Sequence, residues 1–288
     1  MKRAVVTGGT GFVGSHLIEK LLKENIEVIA LCRKESPNLS RLSNGVSIVF
    51  DYEKLPQADV FYHIAWDGAT GPARANALFQ SKNITGCLMA LEAAKKINAR
   101  FIGLGTVYER FAEGACFKSL NSYILAKHSA HTLSNHYAHI LDCDYTWCHI
   151  CHPIGRYIKP EQIFSYIVSC LLSGTPAEFG SAKTYFDVVA VEDVAQGLFL
   201  LGTKKPTQRM YYIGSRKPMI LREYIEKAKV ILDSSTELIF DKRPDDGMYL
   251  DRKWFDIEPL AYDTGFMPQV SFEQAIKNVA DYLKERTL

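Results

Sequence analysis

A glycine-rich turn near the N-terminus constrains the fold more than any other feature of this chain. The turn follows a short apolar run, Ala4–Thr7, and opens a helical pattern, Val13–Lys23. Its residues are Gly8, Gly9, Thr10, Gly11, Phe12, Val13 and Gly14. The glycines permit a tight turn, let a ligand approach the backbone and let helix and strand pack closely. Free N–H groups at the helix start favour a diphosphate, so the strand–turn–helix context predicts a dinucleotide-binding turn.

Short β-branched runs alternate with longer helical patterns through the first half of the chain. The predicted strands are Ala4–Thr7, Val28–Leu31, Ser47–Phe50, Val60–Ile64, Phe101–Leu104 and Tyr145–Ile150. The predicted helices between them are Val13–Lys23, Ala75–Ile97 and Asn121–Ile140. Because these connections are too long for hairpins, right-handed crossovers are expected. The pattern predicts an α/β fold with a doubly wound parallel sheet of the Rossmann type.

The rhythm loosens after Pro153 into shorter helices, short strands and Gly/Pro turns. The predicted helices there are Ile163–Leu172, Val194–Leu201, Leu221–Leu232 and Phe272–Leu283. We expect a dinucleotide-binding domain at residues 1–155 and a smaller α/β substrate domain at residues 156–288. Some segments of the second half are expected to return to the sheet.

Charge and hydropathy exclude two broad classes of partner. A net charge of +2 gives no basic field suited to nucleic acid. No apolar run approaches the roughly 20 residues that a membrane span needs. The N-terminus enters a strand pattern instead of a signal sequence, so we expect a cytoplasmic protein. The seven cysteines are odd in number and lie mostly in apolar segments, which favours reduced, buried thiols.

Residues 148–152, Cys-His-Ile-Cys-His, match the CxxCH pattern of c-type haem attachment. They overlap the end of a predicted buried strand, whereas haem attachment needs an exposed loop in an exported chain. Buried strand residues are therefore the preferred interpretation, and no metal site is predicted.

The end of the second predicted strand bears on the choice between NAD and NADP. A free ribose 2′-hydroxyl is usually held by an acidic residue there, but Arg33 and Lys34 follow this strand. Two cations favour a 2′-phosphate, hence NADP over NAD, although exposed strand ends are often plainly charged. Asp51 and its neighbour Tyr52 are predicted near the adenine, with a loop cap as the alternative for Asp51.

Tyr123 and Lys127 are four residues apart on a predicted helix, so both side chains can point into one cleft. A tyrosine with a pKa of ~10 is a poor base at neutral pH, and a neighbouring ammonium lowers that pKa. Tyr123 could then exchange a proton with a carbinol or a ketone while hydride is transferred.

The glycine turn combined with the Tyr123/Lys127 pair resembles the extended short-chain dehydrogenase/reductase family, the NAD-dependent epimerase/dehydratase group that acts on nucleotide-sugars. The resemblance covers nearly the whole chain. Weaker similarities are His63-Ile64-Ala65, Asn83, the Asp187/Asp193 spacing and Arg243-Pro244-Asp245-Asp246. By resemblance, the cofactor site also includes Ile64, Ala65, Asn83, Lys127 and Pro153, and Arg243 grips a diphosphate.

The family's third catalytic group is a Ser or Thr at the end of the fifth strand. Thr106 is our candidate, although aligning Val107-Tyr108 with the family's Val-Tyr-Gly places Leu104 in this position. We prefer Thr106 because a leucine side chain cannot donate a hydrogen bond to the reacting oxygen.

Several residues depart from the family pattern around the substrate. His152-Pro153 replaces the family's Asn-Pro, and Phe186 replaces an arginine expected before Asp187. Trp66, Asp67, Arg74 and His152 join Arg243 as predicted substrate contacts. Trp66 is also compatible with plain packing.

The resemblance implies an enzyme that oxidises or reduces a sugar carbon, C4, of a nucleotide-diphosphate sugar. Dehydration ranks last, because the related dehydratases have Asp-Glu directly after the catalytic Ser/Thr and Glu109 here comes too late. Reduction of a 4-keto-sugar is slightly favoured over 4-epimerisation with retained NAD. A non-catalytic dinucleotide-binding regulator and a purely structural dimer module are the alternatives outside enzymes. The apolar second and third long helices predict a homodimer.

Overall fold

The computed structural model describes residues 1–113 and 120–286. The strands are β1 (Arg3–Thr7), β2 (Glu27–Leu31), β3 (Val46–Val49), β4 (Val60–His63), β5 (Arg100–Leu104), β6 (Tyr145–His149), β7 (His152–Ile154), β8 (Ala177–Glu178), β9 (Tyr185–Phe186), β10 (Val188–Ala190), β11 (Met210–Tyr212), β12 (Met219–Ile220) and β13 (Leu238–Ile239). The helices are α1 (Phe12–Lys23), α2 (Ala77–Lys96), α3 (Ser122–Ile140), α4 (Ile163–Ser173), α5 (Val191–Thr203), α6 (Leu221–Ile231), α7 (Glu258–Thr264) and α8 (Phe272–Glu285). A 3-10 helix covers Val107–Glu113.

Within the described residues, seven strands form one parallel sheet in the order β11-β6-β5-β4-β1-β2-β3. Val5 of β1 pairs with Ile29 of β2 on one side and with Phe61 of β4 on the other. The direction of chain progression reverses between β1 and β4, and doubly wound sheets bind ligands beyond the carboxyl ends of strands at such a point. The predicted doubly wound fold is confirmed, and the glycine turn lies at this switch point.

All six predicted strands are present, and each of their ends agrees with the prediction to within one residue. Helix α2 begins later than the predicted Ala75, because the side chain of Asn76 caps it by accepting the Phe79 N–H at 2.9 Å. The sequence prediction missed β11, whose three residues are too few to show a period of two.

An aromatic ladder crosses the sheet and fixes the helices near β5. Phe101 stacks on Phe61 at 6.2 Å and on Tyr145 at 5.6 Å between ring centroids. Ala90 of α2 and Ala130 of α3 belong to the same buried cluster. Small residues let both helices approach the rings closely, which places the first turns of α3 beside the end of β5.

The chain forms two compact units. The first contains residues 1–150, 194–213 and 257–267 and includes the whole parallel sheet; the second contains residues 151–193 and 214–256 and a third stretch from Pro268. In the second unit, β10 pairs with β7, β12 with β9 and β13 with β8. Its helices α4, α6 and α8 meet through Phe164, Tyr224 and Phe272, whose ring centroids lie 4.8 to 6.1 Å apart.

The helices and the cysteines bear on the expected class of protein. In the described part of the chain, no helix has both the length and the apolar character needed to cross a bilayer. Cys32, Cys87, Cys143, Cys148, Cys151 and Cys170 are free thiols. Cys148 is fully buried within β6, so the CxxCH pattern begins in a core strand.

Candidate active site

The glycine turn between β1 and α1 is closed by a hydrogen bond from the Gly11 N–H to the Gly8 carbonyl, 2.9 Å long. A Cβ at position 14 would lie 2.1 Å from the same carbonyl oxygen, so the turn accepts only glycine there. Gly11 is the N-cap of α1 and has no side chain to bond to the first amides of the helix. Those amides are available to phosphate oxygens. The turn therefore fits the diphosphate of a dinucleotide.

A polar corner lies between the glycine turn and the loop after β2. The hydroxyl groups of Thr10 and Ser36 are 3.0 Å apart, and Arg41 donates to the Thr10 carbonyl at 3.4 Å. Arg33 forms an exposed ion pair with Asp67 at 2.8 Å. Ser36 and Arg41 escaped the sequence analysis because they lie in a loop without a motif.

Asp51 accepts the backbone N–H of Glu53 at 3.0 Å and caps a short 3-10 turn. This contact corresponds to the loop-cap alternative. Tyr52 packs against the core cluster, and burial raises the pKa of its hydroxyl. Cofactor contacts by these two residues stay predictions.

The end of β4 is tied to β1 through Thr7. The Thr7 hydroxyl lies 3.0 Å from Nδ1 of His63 and accepts the N–H of Ala65 at 3.3 Å. Burial and the nearby charge of Lys127 lower the pKa of His63 to about 3, so this imidazole is neutral. Ile64 and Ala65 are half-buried beside the glycine turn, since Ala65 backbone atoms lie against Gly8.

The loop after β4 is ordered by α2. Asn83 accepts the N–H of Asp67 at 2.9 Å and donates to its carbonyl at 3.0 Å. Trp66 donates its indole N–H to Gln80 at 2.9 Å. Asn83 and Gln80 thus set where Trp66 and Asp67 lie.

Helix α3 begins at a capping residue, Asn121, which accepts the Ile124 N–H at 3.1 Å. Tyr123 and Lys127 follow one helical turn apart. The ammonium of Lys127 is buried and donates to the Leu104 carbonyl at 2.6 Å. Burial lowers the pKa of Lys127 to about 8, although Glu109 acts in the opposite direction.

Thr106 is buried just beyond β5, and its hydroxyl lies close enough to the Tyr123 phenol to act on the pKa of that phenol. Leu104 instead offers its main-chain carbonyl to Lys127, while its side chain is buried. The structure therefore places the Thr106 hydroxyl, and not Leu104, at the proposed proton-transfer group.

Two further predicted residues surround Tyr123. The Arg74 guanidinium lies over the phenol ring at 4.5 Å from its centroid, and Trp66 meets the ring edge to face at 6.1 Å. The centroid of the Trp66 ring also lies 3.9 Å from the Lys127 ammonium. The expected lowering of the Tyr123 pKa by the Lys127 ammonium is wrong: burial raises the pKa of Tyr123 to about 12, and Glu109 acts in the same direction. Arg74 and Thr106 act to lower it.

A buried polar cluster beneath this group was missed by the sequence analysis. Glu109, fully buried, accepts the Thr106 N–H at 2.8 Å and lies 3.0 Å from Nε2 of His149 and 3.2 Å from Nδ1 of His131. The Trp147 indole N–H donates to it at 3.2 Å. One signal was available, since His131 lies four residues after Lys127 on the same helical face.

The remaining predicted residues lie in the second unit. His152 stacks on Phe186 with 3.9 Å between ring centroids, so the two departures from the family pattern contact each other. Pro153 is buried in β7. Arg243 is exposed and donates to the Tyr166 hydroxyl at 3.1 Å. Their cofactor and substrate contacts stay predictions.

A doubly wound parallel sheet with a glycine turn at its switch point and a tyrosine one helical turn from a buried lysine defines a fold of the short-chain dehydrogenase/reductase type. The model of the NAD dependent epimerase/dehydratase family matches residues 4–214. The chain belongs to this family, and the resemblance stated from its motifs is confirmed.

Relatives named as enzymes align with almost the full length of the chain. A putative UDP-glucose 4-epimerase of Methanocaldococcus jannaschii is 25% identical over 97% of this chain and 98% of its own. UDP-glucuronic acid decarboxylase 1 of Arabidopsis thaliana is 24% identical, with 99% and 71% covered. The crystal structure of a Thermotoga maritima UDP-glucose 4-epimerase with UDP-glucose superposes with a TM-score of 0.85 at 22% identity, covering 99% and 100%. Relatives of this kind are enzymes with several reaction types, so the family alone leaves the reaction open.

Proposed function

We propose that this chain transfers hydride at a sugar carbon, C4, of a nucleotide-diphosphate sugar, with Tyr123 as the acid/base. The observation that carries the proposal is the position of the Tyr123 phenol, one helical turn from the buried Lys127, with the buried Thr106 hydroxyl close enough to lower the pKa of the phenol. This arrangement provides a proton donor, an orienting hydroxyl and a fixed positive charge in one place.

The glycine turn would hold the cofactor diphosphate on the amides of α1. When bound, the nicotinamide supplies or accepts the hydride. The polar corner of Thr10, Arg33, Ser36 and Arg41 offers two guanidinium groups for a 2′-phosphate. These two guanidinium groups support NADP. The ion pair between Arg33 and Asp67 supports NAD instead, because a paired guanidinium has fewer N–H donors left for a 2′-phosphate.

The chemistry of Tyr123 follows from its environment. With its pKa raised to about 12 by burial, the phenol is protonated at neutral pH and can give its proton to a ketone oxygen. The Thr106 hydroxyl orients that oxygen, and the charge of Lys127 stabilises the phenolate that remains. In reduction, the carbonyl carbon gains hydride and its oxygen gains the Tyr123 proton; water then reprotonates Tyr123. These features support reduction of a 4-keto-sugar.

Epimerisation at C4 is the second candidate. It is favoured by the near end-to-end match to the putative UDP-glucose 4-epimerase of M. jannaschii. It requires Tyr123 to accept the proton first and return it later. Dehydration is not supported, because the carboxylate of Glu109 is buried and has four nitrogen atoms within 3.2 Å of its oxygens.

The test is to incubate the protein with UDP-, dTDP- and CDP-linked hexoses and their 4-keto derivatives, with NADPH or NADH. Consumption of one reduced cofactor per product establishes reduction, and product without net consumption establishes epimerisation. Neither product nor cofactor turnover with any sugar would contradict the proposal and favour a non-catalytic binding protein. Tyr123→Phe is the control for activity from contaminants.

A further inference from the structure

The buried cluster of Glu109, His131, Trp147 and His149 is not explained by the proton transfer described above. Three of its members come from segments far apart in sequence: Glu109 from the 3-10 helix after β5, His131 from α3 and His149 from β6. Burying an isolated carboxylate is costly unless its charge is compensated. A cluster assembled from three segments therefore calls for a role.

Four nitrogen atoms lie within 3.2 Å of the Glu109 carboxylate oxygens. They belong to the backbone of Thr106 at 2.8 Å, Nε1 of Trp147 at 3.2 Å, Nε2 of His149 at 3.0 Å and Nδ1 of His131 at 3.2 Å. Burial acts to raise the pKa of Glu109, but the two imidazoles act to lower it by a larger amount. The net result is a pKa below the ordinary value of a glutamate. Glu109 is consequently ionised at neutral pH.

The fit around this carboxylate is tight. A Cβ at position 105 would lie 2.2 Å from the Trp147 indole nitrogen and 2.3 Å from a Glu109 carboxylate oxygen. Gly105 thus leaves the space in which the indole meets the carboxylate. His131 stacks on Trp147 with 5.1 Å between ring centroids and the ring planes 6° apart, which fixes the plane of the imidazole beside the carboxylate.

The cluster and the catalytic pair share a wall. The Lys127 ammonium lies 5.9 Å from the centroid of the Trp147 ring, whose indole N–H binds Glu109. Glu109 also accepts the N–H of Thr106, whose hydroxyl acts to lower the pKa of Tyr123. One carboxylate is therefore connected to all three proposed catalytic residues.

We propose that Glu109, kept ionised by His131 and His149, is a positioning residue that keeps Lys127 protonated and fixes Thr106 for proton transfer. This inference rests on the proposed function of Tyr123, Lys127 and Thr106. Because Lys127 is buried, an uncompensated ammonium would lose its proton near neutral pH. Glu109 supplies the missing counter-charge.

The three ligand atoms of Glu109, His131 and His149 also lie within 4.8 Å of one another, a spacing that a metal ion could use. A metal-bound imidazole ordinarily donates its second N–H to an acceptor. Among the described residues, Nδ1 of His149 is buried and has no such partner. A hydrogen bond between Nε2 of His149 and Glu109, with Nδ1 left without a partner, fits these surroundings better than a metal ion.

The titratable groups that face this network come from several elements. They are His131, Lys127 and Tyr123 of α3, His149 of β6, Cys87 of α2, His63 of β4 and Arg74 of the loop before α2. Removing the negative charge of Glu109 lowers the pKa of Lys127, so the alkaline limb of the pH profile should move to lower pH.

The test compares Glu109→Gln with Glu109→Asp. In Glu109→Gln, the alkaline limb of kcat/KM is expected to move down by about 1 pH unit, and Glu109→Asp should restore most of it. A second readout is the pH midpoint for acetylation of Lys127 by a small anhydride, followed by mass spectrometry, which should move by a similar amount. His149→Gln should shift both in the same direction, because burial then raises the pKa of Glu109.

Asp193→Asn is the stability control. Its buried carboxylate caps residues 269 and 270 at 2.8 and 3.0 Å in the second unit, so it should lower thermal stability without moving either midpoint. Should Glu109→Gln not fold, the half-buried His131→Asn serves instead, with a shift in the same direction.

Unchanged midpoints in variants that still bind cofactor would overturn the inference. So would a transition metal retained stoichiometrically by the wild type and lost from His149→Gln. If Tyr123→Phe keeps full turnover, the proposed function itself fails; if Tyr123→Phe is inactive while the Glu109→Gln midpoints stay, only this inference fails.

Discussion

The glycine turn and the Tyr123 group recognise their ligands by opposite means. The turn, residues 8–14, offers main-chain amides from one continuous segment, and its geometry requires that position 14 has no side chain. The Tyr123 group uses side chains from separate segments, held by a carboxylate, Glu109, with two histidine partners. Backbone recognition tolerates no added atom, whereas side-chain chemistry should respond in graded steps to charge.

The largest effect is expected at the glycine turn. Gly14→Val would place carbon atoms against the Gly8 carbonyl, where even a Cβ lies at 2.1 Å. The first turn of α1 must move, and cofactor affinity should fall by at least about 10²-fold. Cofactor fluorescence titration measures this loss.

Gly86→Ala in α2 is the matched control, because a Cβ there meets no atom within 4 Å. It should bind cofactor normally and gain about 0.5–1 kcal/mol in free energy of unfolding. Normal binding by Gly14→Val would remove the contrast between the two regions.

A smaller, graded effect is expected from Arg74→Gln beside the Tyr123 ring. Arg74 acts to lower the pKa of Tyr123, so its loss raises that pKa. In the oxidative direction, where the phenolate accepts the proton, the acid limb should move to higher pH and the rate at neutral pH should fall about tenfold.

The pH profile of carbinol oxidation measures this shift. Arg222→Gln, which removes an exposed helical ion pair with Glu226, should leave the profile unchanged. An acid limb that stays fixed in Arg74→Gln would show that Arg74 does not tune Tyr123.

A still smaller effect is expected at the exposed corner after β2. Arg33→Asp should change the preference from NADPH toward NADH by roughly fivefold, the scale of an exposed charge pair. The new carboxylate repels a 2′-phosphate and can accept a 2′-hydroxyl. The ratio of kcat/KM values measures it, and a wild type that already strongly prefers NADH would refute the interpretation of Arg33.

The smallest effect on chemistry is expected from the exposed face of α2 and α3. Leu78 at the start of α2 is 82% exposed and Ile140 at the end of α3 is 65% exposed, and the homodimer stays a prediction. Leu78→Glu should convert a dimer to a monomer with little change in kcat. Sedimentation of the wild type as a single 32.4 kDa chain at micromolar concentration would count against the dimer.

Contiguous features were predictable from the sequence. The strand–glycine–helix unit is local, and Tyr123 and Lys127 share a helical face, so spacing alone places them together. Thr106 was chosen over Leu104 on chemical grounds, and its contact with Tyr123 supports that choice.

Features assembled from distant segments were not predictable. No local pattern relates Glu109 to His149. The two residues are 40 positions apart in the sequence, yet Nε2 of His149 lies 3.0 Å from a carboxylate oxygen of Glu109. The sequence around Arg33 predicts a free surface charge or a phosphate ligand. In the structure, Arg33 pairs with Asp67, which lies in the loop after a different strand. The order of strands in the sheet decides both contacts, and residue spacing does not specify it.

The central claim is that Tyr123 transfers the proton that accompanies hydride transfer. The most direct measurement is single-turnover cofactor oxidation by Tyr123→Phe, alongside cofactor affinity by fluorescence. We predict that affinity stays near the wild-type value while turnover falls by about 10² or more, since only the proton-transfer group is removed. Wild-type turnover in Tyr123→Phe would contradict the account.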